Sequence, residues 1–468
     1  MEAGEITEPG FVVTLSSTKY QWAKAIGKFT DSTALVIDGP PAKRAKLYEQ
    51  ARNWETEGID YFVINYDLLA TDQRQLKTLP KGFWVWDESQ LVSNWDTKRY
   101  KAAEGLSKDT PFHIGLTGTP MTRGKPEQLF GQFRILDPKV LGTNPWSFRS
   151  KYVVTNDFGW DCGYKNLDVL HEKISKATHT VLEDDPEVVA VMPKVMKNDP
   201  VLVPLDRAGA KLYRTISMEL LELLDGMVDD MLSLQEEDGL SKGKVGQRIT
   251  ALRMLLDHPD LLRISAARYN DGDDTRGSAY AAELEKKGLL EGVKKAPKMD
   301  ALVRYVKEFL ELDPANKAVV FTAFVPMVDL MAEAFGKIKS VKLTGEMNAK
   351  QKEASRDAFN DDPGVRLFIS SDAGGVGIDL PVGNLLVNVD RPWSSGAIQQ
   401  RDGRIKRASS IWKRVRIQDF AVEGSLEERL DATLAEQKRI GKTVLRGGSE
   451  SEEFTVASLR TFLRNSKV

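Results

Sequence analysis

With 468 residues, 41% of them hydrophobic and 29% charged, the chain is long enough for about three domains with cores of their own, and it has no apolar run near the roughly 18 residues that a membrane-spanning helix needs. A net charge of −2, from 66 basic and 68 acidic residues, excludes a histone-like polycation and leaves room for a local basic groove. One cysteine, Cys162, excludes an intramolecular disulfide framework and a multi-cysteine metal site, and His113, His171, His179 and His258 have no metal-ligand spacing.

The opening Met-Glu-Ala-Gly-Glu is acidic and no basic start leads into an apolar core, so no secretory signal is expected and the predicted setting is cytoplasmic, with no membrane partner. From residue 11 to about 120 short apolar runs alternate with amphipathic stretches: Phe11–Leu15, Ala34–Ile37, Tyr61–Ile64, Phe83–Trp86 and His113–Leu116. Such runs read as buried parallel strands separated by helices, an α/β layer whose ligands bind at the carboxyl ends of the strands. Between Leu136 and Lys295 apolar residues recur at helical spacing (Leu212, Ile216, Leu220; Leu252, Leu255, Leu256), which predicts a mostly helical region. Alternation returns from Ala296, with strands predicted at Ala318–Phe321, Val341–Leu343, Arg366–Ile369, Leu385–Val389 and Val415–Phe420. Gly447–Glu453 reads as a linker and Val456–Leu463 as a short terminal helix. The expected domains are therefore 1–135, 136–295, 296–445 and 446–468.

Three segments carry chemistry. The strand Phe83–Trp86 runs into Asp87 and Glu88, adjacent carboxylates of which the first can hold Mg²⁺ through water and the second can polarise an attacking water; an acidic turn on the surface has the same look. Ser370–Leu380 follows a strand and concentrates glycines where backbone must approach a ligand closely, which makes Gly375, Gly377 and Asp379 candidate nucleotide-binding positions. Gln400–Arg407 sets Arg404 and Arg407 three apart, one helical turn, so that two guanidiniums can face one γ-phosphate; a solvated basic face is the alternative.

Taken in order, these segments resemble the motifs of superfamily-two helicases and translocases, in the chromatin-remodeller-like (Snf2-type) branch that moves on double-stranded DNA. Asp87-Glu88-Ser89-Gln90 is similar to motif II, Gly115–Pro120 to motif III, Val319–Thr322 to motif IV, Ser371–Leu380 to motif V, Gln400–Arg407 to motif VI, and Phe11–Phe29 to motif Ia. His258-Pro259, in the helical middle, also fits that branch. The resemblance covers residues 11 to 440. It implies two RecA-like parallel-sheet lobes, the first truncated at its N-terminus, with a helical insertion between them. It further implies ATP and Mg²⁺ as cofactors, double-stranded DNA as partner, Asp87, Glu88, Gln400, Arg404 and Arg407 as catalytic residues, and Thr117, Gly118, Thr119 and Ser371 as residues coupling nucleotide state to nucleic acid. Asp87 is expected to face Arg404 and Arg407 across a cleft.

The family's phosphate-binding loop, Gly-x-Gly-Lys-Thr/Ser, is expected a few tens of residues before motif Ia, and ten residues precede Phe11. Gly441-Lys442-Thr443 has the tripeptide, but Glu436 stands where Gly-x-x-x-x-Gly-Lys-Thr requires glycine. Two function classes follow. One is a DNA-dependent ATPase and translocase subunit or fragment that hydrolyses ATP only when a complementary polypeptide or another segment supplies the loop. The other is an ATPase-inactive nucleic-acid-binding scaffold whose DNA binding is salt-dependent and indifferent to ATP.

Overall fold

The computed structural model describes residues 6–122, 124–155, 161–182, 185–229, 238–372, 378–392, 395–428, 444–445 and 451–452. It divides into two units, one drawn from Met1–Val181, Ser394–Gln400 and Glu436–Glu453, the other from Leu182–Trp393, Arg401–Ala435 and Phe454–Val468. Each is built on a parallel sheet with helices packed on it.

In the first unit the strands are β1 (Gly10–Thr14), β2 (Ala34–Val36), β3 (Tyr61–Asn65), β4 (Phe83–Asp87) and β5 (His113–Leu116), in the spatial order β2-β3-β1-β4-β5 and all parallel. Each lies within a residue of its sequence-predicted limits, and the centres of β1, β3 and β4 are buried on both faces, as apolar runs of four or five residues closed by polar residues suit. The two faces have different covers. Helix Lys19–Phe29 packs through Ile26 on Val12, Val63 and Val85, whereas Leu68, Leu69, Tyr100, Ala103 and Leu106 pack on Phe11, Trp84 and Trp86 from the opposite side. Trp84 and Trp86 are fully buried and stack at 5.0 Å, with Phe11 stacked on Trp84 at 4.5 Å. They are core residues, as their place in an apolar run predicts. Trp393 lies outside the described residues.

A short antiparallel pair, β6 (Val153–Thr155) and β7 (Asp161–Tyr164), is extended by Ser451–Glu452, which pairs with Gly163 and Tyr164. Part of the expected linker is thus a strand, and Val444, just before it, is buried beside Leu170 and Ile174 in the first unit. The expected terminal helix at 456–463 lies outside the described residues.

The second sheet contains β8 (Lys194–Lys197), β9 (Val201–Val203), β10 (Ala318–Thr322), β11 (Ser340–Leu343), β12 (Leu367–Ser371), β13 (Leu385–Asn388) and β14 (Arg414–Val422). Its order is β11-β12-β10-β13-β14-β8, with β9 also pairing with β14, and all pairs are parallel. β8 and β9 are two short strands within residues 136–295, the region whose spacing predicts mostly helix. They are three and four residues long, set among Pro193, Pro200 and Pro204, too short to show a period, and they form because β14 offers a ladder. The helices Arg207–Asp229, Asp238–Asp257, Asp260–Asn270 and Ala279–Lys286 share one core, in which Leu212, Ile216, Leu220, Leu252 and Leu255 are buried as their spacing predicts.

Candidate functional site

In the first unit the site begins where β4 ends. Asp87 Oδ2 accepts hydrogen bonds from Thr14 Oγ1 at 2.6 Å and Trp22 Nε1 at 2.9 Å, and the Asp87 carbonyl accepts from the Tyr66 hydroxyl at 2.6 Å. Thr14 closes β1, the neighbour of β4 in the sheet, so strand order puts this donor beside the carboxylate. Burial, reinforced by Asp87 and Glu88, pushes the Tyr66 phenol well above its ordinary range, which keeps its proton available to donate. Glu88 is in the left-handed region, φ 54° and ψ 52°, a conformation that is strained for a residue with a long side chain. The strain turns the chain sharply out of β4 and leads into the one-turn helix Ser89–Val92.

Two hydrogen-bonded bridges tie this turn to the loop after β5. Gln90 Nε2 donates to Glu88 Oε2 at 2.6 Å, Gln90 Oε1 accepts from Thr117 Oγ1 at 2.6 Å, and Thr117 Oγ1 accepts from the Thr119 amide at 3.0 Å. Beside it, Ser89 Oγ donates to Gln132 Oε1 at 2.8 Å, and Gln132 Nε2 donates to the Pro120 carbonyl at 2.8 Å. Glu88, Thr117 and Thr119 therefore share one polar network. Gly118 sits between them in open space, where a Cβ would meet nothing within 4 Å.

In the second unit Ser371 ends β12, fully buried, and its hydroxyl has no hydrogen-bond partner among the described residues. Gly375 and Gly377 lie outside the described residues. Asp379 is exposed and forms an ion pair with Arg407 at 2.8 Å. Helix Ser395–Asp402, which carries Gln400, stops before Gly403, so Arg404 and Arg407 do not share a helical turn as their spacing suggests. The Arg404 amide instead closes a turn on the Arg401 carbonyl at 2.9 Å, and the Arg407 amide bonds to the Ile405 carbonyl at 3.1 Å. Arg404 is buried and donates to the Ile378 carbonyl at 3.3 Å, while Arg407 is half-exposed.

Sequence profiles match this architecture in two pieces. The SNF2-related domain matches residues 2–261, more than half of the chain, and the Helicase conserved C-terminal domain matches residues 297–409. The chain belongs to the SNF2-related family. Among its relatives, the putative ATP-dependent helicase/translocase YwqA of Bacillus subtilis is 23% identical over 98% of this chain and 45% of its own length. The DNA repair and recombination protein RAD54 of Saccharomyces cerevisiae is 24% identical over 90% of this chain and 47% of its own length. This SNF2-related chain thus spans a little under half of either relative. Among solved structures, the Sulfolobus solfataricus SWI2/SNF2 ATPase core in complex with dsDNA is 24% identical, with a TM-score of 0.40, over 95% of this chain and 84% of that one.

Sequence reasoning passed over the residues that hold the site together in this SNF2-related chain. Trp22 packs against the Val12, Val63 and Val85 cluster and also donates its indole N–H to Asp87. Arg401 is buried, its guanidinium paired with Asp372 at 2.6 and 2.9 Å, with Asp390 at 3.2 Å and with the Asp390 carbonyl at 2.7 Å. Asp390 in turn accepts from Thr322 Oγ1 and the Ala323 amide, each at 2.8 Å. Burial alone would raise the Asp390 carboxyl; Arg401 and Arg253 outweigh it and hold the group below its ordinary range. The signal was present in the sequence, since Arg401 lies inside the motif VI resemblance, but nothing there distinguishes an arginine that clamps from one that reaches a ligand. The histidines are structural where their contacts are described: His113 Nδ1 accepts from Trp86 Nε1 at 3.2 Å, and His258 Nδ1 accepts from the Asp260 amide at 3.1 Å.

Proposed function

We propose that this chain is the motor core of a DNA-dependent ATPase that translocates on double-stranded DNA, and that it turns over ATP when another segment or chain supplies the phosphate-binding loop. The observation that carries the reading is the pair of neighbouring carboxylates at the end of β4, held apart in different states: Asp87 fixed by Thr14 and Trp22, Glu88 strained and tied through Gln90 to Thr117. Names among the relatives, an ATP-dependent helicase/translocase and a DNA repair and recombination protein, support the same class.

Asp87 suits Mg²⁺. Two donors occupy Oδ2, and Oδ1 accepts no hydrogen bond among the described residues, which matches an ion that takes one or two carboxylates and completes its shell with water and phosphate oxygens. When bound there, Mg²⁺ would neutralise charge on the phosphates. Glu88 Oε2 is engaged by Gln90, and Oε1 remains to orient a water and accept its proton. The Thr117 relay links that carboxylate to the loop after β5, a route by which bound DNA could reset it. Arg404 and Arg407 would meet the charge developing on the γ-phosphate, Arg407 by leaving Asp379, a half-exposed pair that costs little to open.

The test is ATP hydrolysis by the full chain, with and without double-stranded DNA and a phosphate-loop polypeptide. The chain alone should hydrolyse ATP at background, and loop and DNA together should give turnover that Glu88→Gln abolishes. Multiple turnover by the chain alone, lost in Glu88→Gln, would show that another of its segments binds the phosphates. Salt-dependent DNA binding indifferent to ATP, with no turnover in the completed chain, would favour the scaffold.

A further inference from the structure

A guanidinium has five N–H donors, and on Arg401 each has an acceptor within the second unit. Nε and Nη2 fork onto Asp372 Oδ1 and Oδ2 at 2.6 and 2.9 Å, and Nη2 also reaches Asp390 Oδ1 at 3.2 Å. Nη1 donates to Asn388 Oδ1 at 3.2 Å and to the Asp390 carbonyl at 2.7 Å. The group is thereby fixed in its plane, and it faces two carboxylates with one charge. Asp372 is 39% exposed, so water screens its half of the pair, whereas Asp390 is 1% exposed and must be compensated inside the protein. Thr322 Oγ1 and the Ala323 amide satisfy Asp390 Oδ2 but bring no charge.

The second charge comes from outside both motif segments. Arg253 lies one turn before the end of helix Asp238–Asp257, and its Nη2 stands 3.6 Å from Asp390 Oδ1. That distance is too long for a hydrogen bond but short for an attraction between side chains 19% and 1% exposed. Lys298 adds to the field at Asp390, yet its ammonium is engaged by Asp257 and Glu427 at 2.7 Å. Arg253 also lies over the Phe324 ring, 5.4 Å from its centroid, so a role in packing and a role through charge call for different tests.

The Arg401 clamp touches both ends of the Ser371–Leu380 segment. Asp372 follows Ser371 at the end of β12. At the other end the Arg401 carbonyl accepts from the Arg404 amide at 2.9 Å, the Arg404 carbonyl accepts from the Leu380 amide at 3.0 Å, and the Arg404 side chain donates to the Ile378 carbonyl. Without a second cation Asp390 draws Arg401 off Asp372, and both ends loosen.

We propose that Arg253, on the helical region, is a positioning residue: its charge compensates Asp390 so that Arg401 stays forked on Asp372 and holds Arg404 in place. That the clamp serves hydrolysis rests on the functional reading above; the clamp itself rests on the contacts of Arg401 and Asp390.

The test is amide hydrogen exchange in the full chain, read at Arg404 and Leu380, with the paired Val319 and Leu386 of β10 and β13 as the control that the sheet is intact. Arg253→Gln keeps a polar side chain without the charge and should speed exchange at Arg404 and Leu380 by about 10-fold. Arg253→Lys should return both to the wild-type rate, because an ion pair at 3.6 Å uses the charge and not the fork. On top of Asp390→Asn, Arg253→Gln should add nothing. If Asp390→Asn loosens the control amides, the Arg253→Lys comparison decides alone. Unchanged exchange in Arg253→Gln, fast exchange in Arg253→Lys, or a further effect of Arg253→Gln on top of Asp390→Asn reduces Arg253 to packing on Phe324 and overturns the proposal. With a phosphate loop and DNA supplied, Arg253→Gln should lower kcat about 10-fold and leave KM for ATP unchanged. The expected exchange pattern with no turnover in wild type keeps the clamp and overturns the ATPase reading; turnover that Arg253→Gln leaves unchanged does the reverse.

Discussion

Trp22 donates its indole N–H to Asp87 Oδ2 at 2.9 Å, while Thr14 donates to the same oxygen at 2.6 Å. A carboxylate pinned through one oxygen presents the other in a fixed direction, as partners behind a metal ligand commonly do. Trp22→Phe keeps most of the ring and removes the donor. In the loop-completed chain it should lower Mg²⁺ affinity or turnover by about 10- to 100-fold, read from hydrolysis against Mg²⁺ concentration. An unchanged Mg²⁺ dependence would reduce Trp22 to a packing residue.

Glu88 is one of two non-glycine residues with positive φ among the described residues. Glu88→Asn and Glu88→Gln both remove the charge and should both be inactive. They should differ in stability, since Asn visits the left-handed region readily and Gln does not, by up to about 1 kcal/mol in favour of Asn. Urea unfolding of the two variants measures the difference. Equal stabilities would mean that the turn holds no strain.

The elements were legible because each predicted strand is an apolar run closed by polar residues, and the first sheet's five fall within a residue of expectation. What the sequence conceals is strand order. That β1 lies beside β4 is a property of the folded sheet, and it alone turns Thr14 and Trp22 from motif-Ia residues into partners of Asp87. The same blindness hid β8 and β9, whose pairing with β14 joins residues more than 200 positions apart. In motif VI the spacing of Arg404 and Arg407 suggested a helical turn, but the helix ends ahead of Gly403, and the two arginines take different environments.

Those environments predict opposite behaviour for Arg401 and Arg407. Arg401 is buried between Asp372 and Asp390, so Arg401→Met leaves the buried Asp390 carboxylate with only the more distant Arg253, at 3.6 Å, and should cost about 3 kcal/mol of stability. Arg407→Ala breaks a half-exposed pair with Asp379 and should cost no more than about 1 kcal/mol. In the loop-completed chain, however, it should lower hydrolysis by about 10³-fold, the loss expected of an arginine finger. Thermal unfolding and steady-state hydrolysis separate the two. Full activity in Arg407→Ala would remove it from the catalytic set.

A buried triad in the second unit sets a pH dependence of stability. Lys298 Nζ reaches Asp257 Oδ1 and Glu427 Oε1, each at 2.7 Å, and all three side chains are 5% exposed or less. One ammonium cannot compensate two buried carboxylates. Burial pushes the Asp257 carboxyl up to about 7 from its ordinary 3.8, against the pull of Lys298 and with the help of Asp390 and Glu427. Between these two values the folded chain holds a proton that the unfolded chain has released. The stabilisation is therefore complete below about pH 4 and is lost as pH rises through about 7. Asp257→Asn has no proton to lose, so its stability should vary less than that of the wild type between pH 5 and 8. Glu427→Gln leaves one carboxylate for one ammonium and should flatten the curve in the same way. Urea midpoints measured across that range decide it, and parallel curves for wild type and Asp257→Asn would show that the proton resides elsewhere.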